Sequence, residues 1–90
     1  MNNKITDATI LVTGGAGFVG SYVVEELLQH QPKKIIIIDN LIRGSHYNMQ
    51  SFINNPVVEF MEGDVRDVTL LEGCIRGCDY VFHMAWCAPR

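Results

Sequence analysis

Gly14, Gly17 and Gly20 recur at every third position in the stretch Thr13-Gly14-Gly15-Ala16-Gly17-Phe18-Val19-Gly20. Apolar Ile10-Leu11-Val12 precedes it, and a helix-like run from Phe18 to about Gln29 follows. A strand, a glycine-rich turn and a helix form a phosphate-binding corner. The first N–H groups of a helix have no partner inside it, and the helix dipole adds roughly half a positive charge at that end. A diphosphate is attracted there without any lysine or arginine. Gly14 is expected to turn the chain tightly out of the strand. Gly17 is expected to leave the backbone open to phosphate, and Gly20 to let the helix pack closely on the sheet. The spacing is G-x-x-G-x-x-G rather than G-x-G-x-x-G. The glycines therefore need a second element to specify a ligand.

Asp39 supplies one. It lies about 20 residues beyond the glycines, at the end of a second apolar run. A carboxylate there can accept both hydroxyls of an adenosine ribose. It also repels a 2′-phosphate, which favours NAD over NADP. The bland alternative is a solvated acid at a strand end. Arg43 complicates the preference, since it could pair with a 2′-phosphate or lie along an adenine face. Asp64-Val65 offers a carboxylate and a backbone N–H to the edge of adenine, or is a turn aspartate and nothing more. His83 sits inside an apolar strand and reads as structural.

These residues need a scaffold to bring them together. Thr9 to Thr13 reads as a buried parallel strand. The following helix carries Val19, Val23 and Leu27 at spacing four, with Val24 and Leu28 beside them, which predicts one face on a sheet. Gln31-Pro32 ends it. Lys34 to Asp39 contains four isoleucines in sequence, the pattern of a strand covered on both faces. Asn40 to His46 reads as a loop, and Met49, Phe52 and Ile53 predict a short helix before Asn54-Asn55-Pro56. Val57 to Met61 predicts a third strand, with a turn at Gly63-Asp64. Asp67 can cap a helix whose stripe is Leu71, Cys74, Ile75 and Cys78. Asp79 then opens a fourth strand, Tyr80 to Met84, and Ala85 to Arg90 is a tail. The order β-α-β-α-β-α-β predicts an α/β fold with parallel strands in the order 3-2-1-4, the first half of a doubly wound sheet. Residues 1–90 read as one dinucleotide-binding half-domain, with no linker dividing them.

Composition narrows the classes. A hydrophobic fraction of 48% among 90 residues supplies a core and argues against disorder. The net charge of -3 and the lack of a basic run exclude a nucleic-acid surface. The longest aliphatic run, Ile35 to Ile38, is too short to span a bilayer, and the start lacks a signal-peptide pattern. Cys74, Cys78 and Cys87 show no CxxC and are expected to be reduced thiols of a cytoplasmic protein, with a zinc site as the sharper alternative.

Four ordered motifs resemble one family: Thr13 to Gly20, Asp39-Asn40-Leu41, Gly63-Asp64-Val65-Arg66-Asp67 and Val81-Phe82-His83-Met84-Ala85. They are similar to those of the extended short-chain dehydrogenase/reductases, and nearest to the NAD-dependent epimerase/dehydratase group, which acts on nucleotide sugars. The likeness runs from Ile10 to Ala85. It implies a Rossmann-like fold in which Gly14, Gly17, Phe18 and Val19 line a pyrophosphate. Asp39 would hold the ribose, with Asn40 and Leu41 beside the adenosine. Asp64 and Val65 would contact adenine, and Met84 and Ala85 would lie near the nicotinamide. The family usually places a second small residue after that alanine, where this chain has Trp86.

The family's Tyr-x-x-x-Lys base is not found in these residues. Tyr22, Tyr47 and Tyr80 are followed four positions on by Glu26, Ser51 and Met84. No catalytic residue is therefore assigned. The resemblance implies the NAD-holding part of a nucleotide-sugar epimerase or dehydratase, inactive alone, whose sugar substrate would bind only in a fuller parent. The alternatives are a non-catalytic NAD-binding or protein-interaction module, and a non-binding remnant. The fourth strand would be an uncovered edge inviting oligomerisation.

Overall fold

The computed structural model describes residues 4–85. Trp86, Cys87 and the rest of the expected tail lie outside the described residues. The elements run β1 (Thr9–Thr13), α1 (Phe18–Leu28), β2 (Lys34–Asp39), a single 3-10 turn (Tyr47–Met49), β3 (Val58–Glu62), α2 (Val68–Ile75) and β4 (Tyr80–His83). The sheet has four parallel strands in the order β3-β2-β1-β4. This is the expected half of a doubly wound, Rossmann-like sheet.

The register explains the isoleucine run. Ile35 and Ile37 stand beside Ile10 and Val12 on the face covered by α1 and the segment around Met49 and Phe52. Leu11 and Ile38 lie on the opposite face, under Cys74, Leu70 and Leu71 of α2. Both faces of β2 are thus covered, although Ile36 stays half-buried. A fully buried aliphatic side chain contributes about 1.5–3 kcal/mol as an upper estimate, so this double coverage makes β2 and β1 the centre of the core.

Several local expectations shift. The apolar face of α1 is Val24 and Leu27 with Gly20 and Ser21, flanked by Val23 and Leu28. Val19 is 60% exposed, whereas Gly20 and Ser21 in the same turn are buried. Ile75 is 41% exposed, and Cys78 lies beyond the end of α2. Spacing placed both on the stripe; the helix stops at Ile75, yet Cys78, past the turn at Gly77 (φ +86), still packs against the cluster of Leu11, Ile38 and Cys74. The short helix is one 3-10 turn at Tyr47–Met49, and β3 begins at Val58 rather than Val57. Asp67 caps α2 as expected, its Oδ1 accepting from Leu70 N at 3.1 Å. Among the described residues, no helix is long and apolar enough to cross a membrane.

Candidate functional site

The cofactor-site residues singled out from the sequence end or follow the four parallel strands, or begin α1. Ligands of open α/β sheets bind at this edge. Gly14 has φ +75, a conformation that costs other residues roughly 1–2 kcal/mol. Its N–H donates to the Ile38 carbonyl oxygen at 2.8 Å. A Cβ on Gly14 would lie 2.8 Å from Ala85 N and from the Met84 carbonyl carbon. The turn therefore rests directly on the backbone leaving β4.

Gly17 is the N-cap of α1, and no side chain caps the helix there. Its own N–H donates to the Gly14 carbonyl oxygen at 3.0 Å. Ser21 N is bonded back to Gly17 O at 2.9 Å, so the amides of Phe18, Val19 and Gly20 precede that bond. The first turn holds no acidic side chain. The Phe18 and Val19 side chains point away into solvent, and Phe18 packs edge-on against Tyr22 at 5.4 Å. Gly20 is needed for a different reason from the one expected. A Cβ there would collide with the Gly14 carbonyl oxygen, within the turn itself rather than on the sheet.

Asp39 is only 7% exposed, which removes the solvated-acid reading. Its Oδ2 accepts from Ala16 N at 3.0 Å and its Oδ1 from Leu41 N at 2.7 Å. The carboxylate thus braces the glycine turn in addition to facing the sheet edge. Leu41 is held at φ +63, rare for a branched side chain. Asn40 Oδ1 accepts from Ile42 N at 3.0 Å, and Arg43 lies exposed on the same loop. This loop also grips Ala16, whose carbonyl oxygen accepts from Ser45 N at 3.0 Å and Asn48 Nδ2 at 2.9 Å.

At the third strand, Gly63 N donates to Asp39 O at 3.1 Å and brings Asp64 toward Asp39. The Val65 side chain packs against the cluster of Leu11, Ile38 and Cys74. The Asp64 carboxylate is taken up by Arg66, with contacts from the backbone N at 2.8 Å, from Nε at 3.1 and 3.0 Å, and from Nη2 at 2.6 Å. At the fourth strand, Thr13 fixes the exit. Its carbonyl oxygen accepts from Met84 N at 2.9 Å and its Oγ1 from Ala85 N at 3.2 Å. His83 Nδ1 lies 2.8 Å from the same Oγ1. This agrees with a structural role for His83.

Thr13, Ala16 and Arg66 were not singled out by sequence reasoning. Thr13 and Ala16 lie inside the glycine motif, but their importance comes from partners far along the chain. Arg66, two residues from Asp64, had a local signal: an acid and an arginine at i, i+2. A groove lined by Ile36, Glu59, Met61, Leu70 and Cys74 opens on the α2 face of the sheet. Burial pushes the Cys74 thiol above its ordinary value, and the Glu59 charge adds to this. Cys78 is raised too, by burial first, then by Cys74 and Asp79 against the opposing Lys34. Among the described residues, no three His, Cys, Asp or Glu side chains form a metal-sized group.

The strand order and the glycine corner define a Rossmann-like α/β unit. The chain belongs to the NAD dependent epimerase/dehydratase family, which it matches over residues 10–89. It is 38% identical over 76 residues to UDP-glucuronic acid decarboxylase 6 of Arabidopsis thaliana, covering 84% of this chain and 21% of that protein. It is 42% identical over 77 residues to a putative UDP-glucose 4-epimerase of Methanocaldococcus jannaschii, covering 84% of this chain and 23% of that protein. The Bordetella bronchiseptica enzyme WbmF, solved in complex with NAD+, superposes with a TM-score of 0.82 at 36% identity, covering 92% of this chain and 24% of WbmF. A second WbmF structure contains NAD+ and UDP. The chain thus spans between a fifth and a quarter of the length of these relatives.

Proposed function

We propose that this chain binds NAD across the C-terminal edge of its sheet, as the cofactor-holding part of an enzyme that epimerises, dehydrates or decarboxylates a nucleotide sugar. The observation that carries the reading is the uncapped start of α1. Gly17 supplies no capping side chain, while Asp39, Ser45 and Asn48 fix the neighbouring Ala16. A diphosphate would serve as the cap, held by the amides of Phe18 and Val19. Asp39 would keep a further acceptor lone pair for the ribose beyond the bond each oxygen already makes. Its charge at the sheet edge favours NAD over NADP, and Arg43 would lie along the adenosine. Asn40 and Leu41 would shape the adenosine loop, and Val65 would meet adenine through its backbone. Met84 and Ala85 would wall the nicotinamide side. NAD supplies hydride transfer when bound. These residues hold and orient the cofactor, and we assign none of them the proton transfer that sugar chemistry needs. A cytoplasmic setting fits a nucleotide-sugar substrate.

The test is a calorimetric titration with NAD of the chain and of Gly17→Asp. The N-cap dihedrals, φ −77 and ψ 171, are open to other residues, and aspartate caps helices well; a Cβ there would lie 3.2 Å from the Gly14 carbonyl oxygen, which must give slightly. The variant should fold, while its carboxylate takes the diphosphate's place and repels it. Saturable binding by the parent, lost in the folded variant, is expected. No saturation at about millimolar NAD, a binding free energy near −4 kcal/mol, would refute the reading. So would equal binding by the variant.

A further inference from the structure

The contacts between Asp64 and Arg66 go beyond a local turn. An ionised carboxylate offers about four acceptor sites and no donor. In this structure Oδ1 accepts from Arg66 N and Nε, and Oδ2 accepts from Nε and Nη2. Each oxygen is thus met twice by the same residue. Asp64 also stands one residue beyond Gly63, whose N–H is bonded to the Asp39 carbonyl oxygen. The carboxylate therefore sits beside the proposed adenosine site with its acceptor sites filled from within the chain.

We propose that Arg66 is a specificity residue at the adenine end of this site. Its guanidinium competes with the adenine 6-amino group for Asp64, so the site discriminates only weakly between 6-amino purines and purines without that donor. The inference rests on the dinucleotide reading above. The side chains of the pair are 53% and 32% exposed, for Arg66 and Asp64 respectively. An ion pair this open to water is weak, so the competition is modest. Removing the guanidinium should leave Asp64 in place, because the backbone N–H of residue 66 still bonds Oδ1.

The experiment compares NAD with nicotinamide hypoxanthine dinucleotide, whose 6-oxo group cannot donate. Dissociation constants for both are measured on the parent, on Arg66→Ala and on the double variant Arg66→Ala, Asp64→Ala. Arg66→Ala should raise the preference for NAD by about three- to fivefold, the size expected for an exposed pair. The double variant should return that preference to the parent's value or below. Raising the salt concentration should shift the parent toward the single variant, since the exposed pair is screened. An unchanged ratio in Arg66→Ala, or weaker NAD binding there, overturns the inference while leaving the dinucleotide site intact. Failure of the parent to bind either dinucleotide overturns both.

Discussion

Asp39→Asn separates bracing the turn from binding a ligand. The carboxylate accepts from two backbone donors, Ala16 N at 3.0 Å and Leu41 N at 2.7 Å, on a residue only 7% exposed. Asparagine offers one carbonyl oxygen and one amide nitrogen. Whichever way the amide is turned, its nitrogen faces an N–H. One buried hydrogen bond is lost and a donor is left against a donor. A buried group left unsatisfied costs about 1–3 kcal/mol, and the bonds lost here are charge-assisted. We take about 2 kcal/mol as the working figure. A chain of 90 residues has a total stability of about 5–13 kcal/mol, so the loss is large. It corresponds to a Tm lower by about 8–16 °C.

The assay is thermal unfolding followed by circular dichroism with no nucleotide present. If Asp39 served only to recognise ribose, the variant would melt with the parent. A coincident melt would therefore refute the bracing argument, whatever happened to NAD binding. Binding by the variant should be measured well below its own Tm, so that lost affinity is not confused with lost fold.

Gly14→Ala should fold poorly, since the residue has φ +75 and the new methyl would press on the Ala85 and Met84 backbone at 2.8 Å. We expect at least about 2 kcal/mol of destabilisation, and a denaturant midpoint equal to the parent's would contradict the packing described. Folding raises the Cys74 and Cys78 thiols, so it opposes their ionisation. Stability should be full below the unfolded thiol value, about 8.5, and should fall as pH climbs through the raised folded values. Urea midpoints between neutral and alkaline pH would show this, and Cys74→Ala should flatten the slope. The exposed edge at β4, with Val81 on its surface, should pair with another strand at high concentration. Sedimentation should show self-association that Val81→Lys suppresses, and a monomer at all concentrations would remove that expectation.

Strand identity and order were legible because β1 and β2 are apolar without alternation, and because parallel strands with helical crossovers admit few arrangements. Asp39 was legible as a carboxylate at a strand end. Its burial was not, because that depends on Ala16 and Leu41 donating to it, and Leu41 adopts a backbone conformation its residue type does not announce. Gly20 was legible as a required glycine but not what it must avoid. Only the folded turn shows that its obstacle is the Gly14 carbonyl. Periodicity misplaced Val19 and Ile75, which stand near helix ends and are exposed while Gly20, Ser21 and Cys74 beside them are buried. The contact of Thr13 with His83 and Ala85 joins residues about 70 apart along the chain, and no local pattern carries such a pairing.

The glycine corner keeps its shape by itself, and this bears on how it would bind. Ala16 is held through its N–H by Asp39 and through its oxygen by Ser45 and Asn48. Gly14 is held by Ile38 and lies against the exit of β4, which Thr13 fixes at two successive residues. A loop that bound its ligand by folding would lose ordering entropy at that moment, whereas a pre-formed one does not. With Gly14, Ala16 and Gly17 tied, the start of α1 is the end that lacks a side-chain cap. A capping side chain at position 17 would stabilise the helix by only a few tenths of a kcal/mol over glycine. Leaving it out keeps the amides of the first turn available to an anion. The contrast between a braced turn and a bare helix end in adjacent residues is therefore best explained by a ligand that completes the helix, and the diphosphate of a dinucleotide has the charge and the acceptor oxygens to do so.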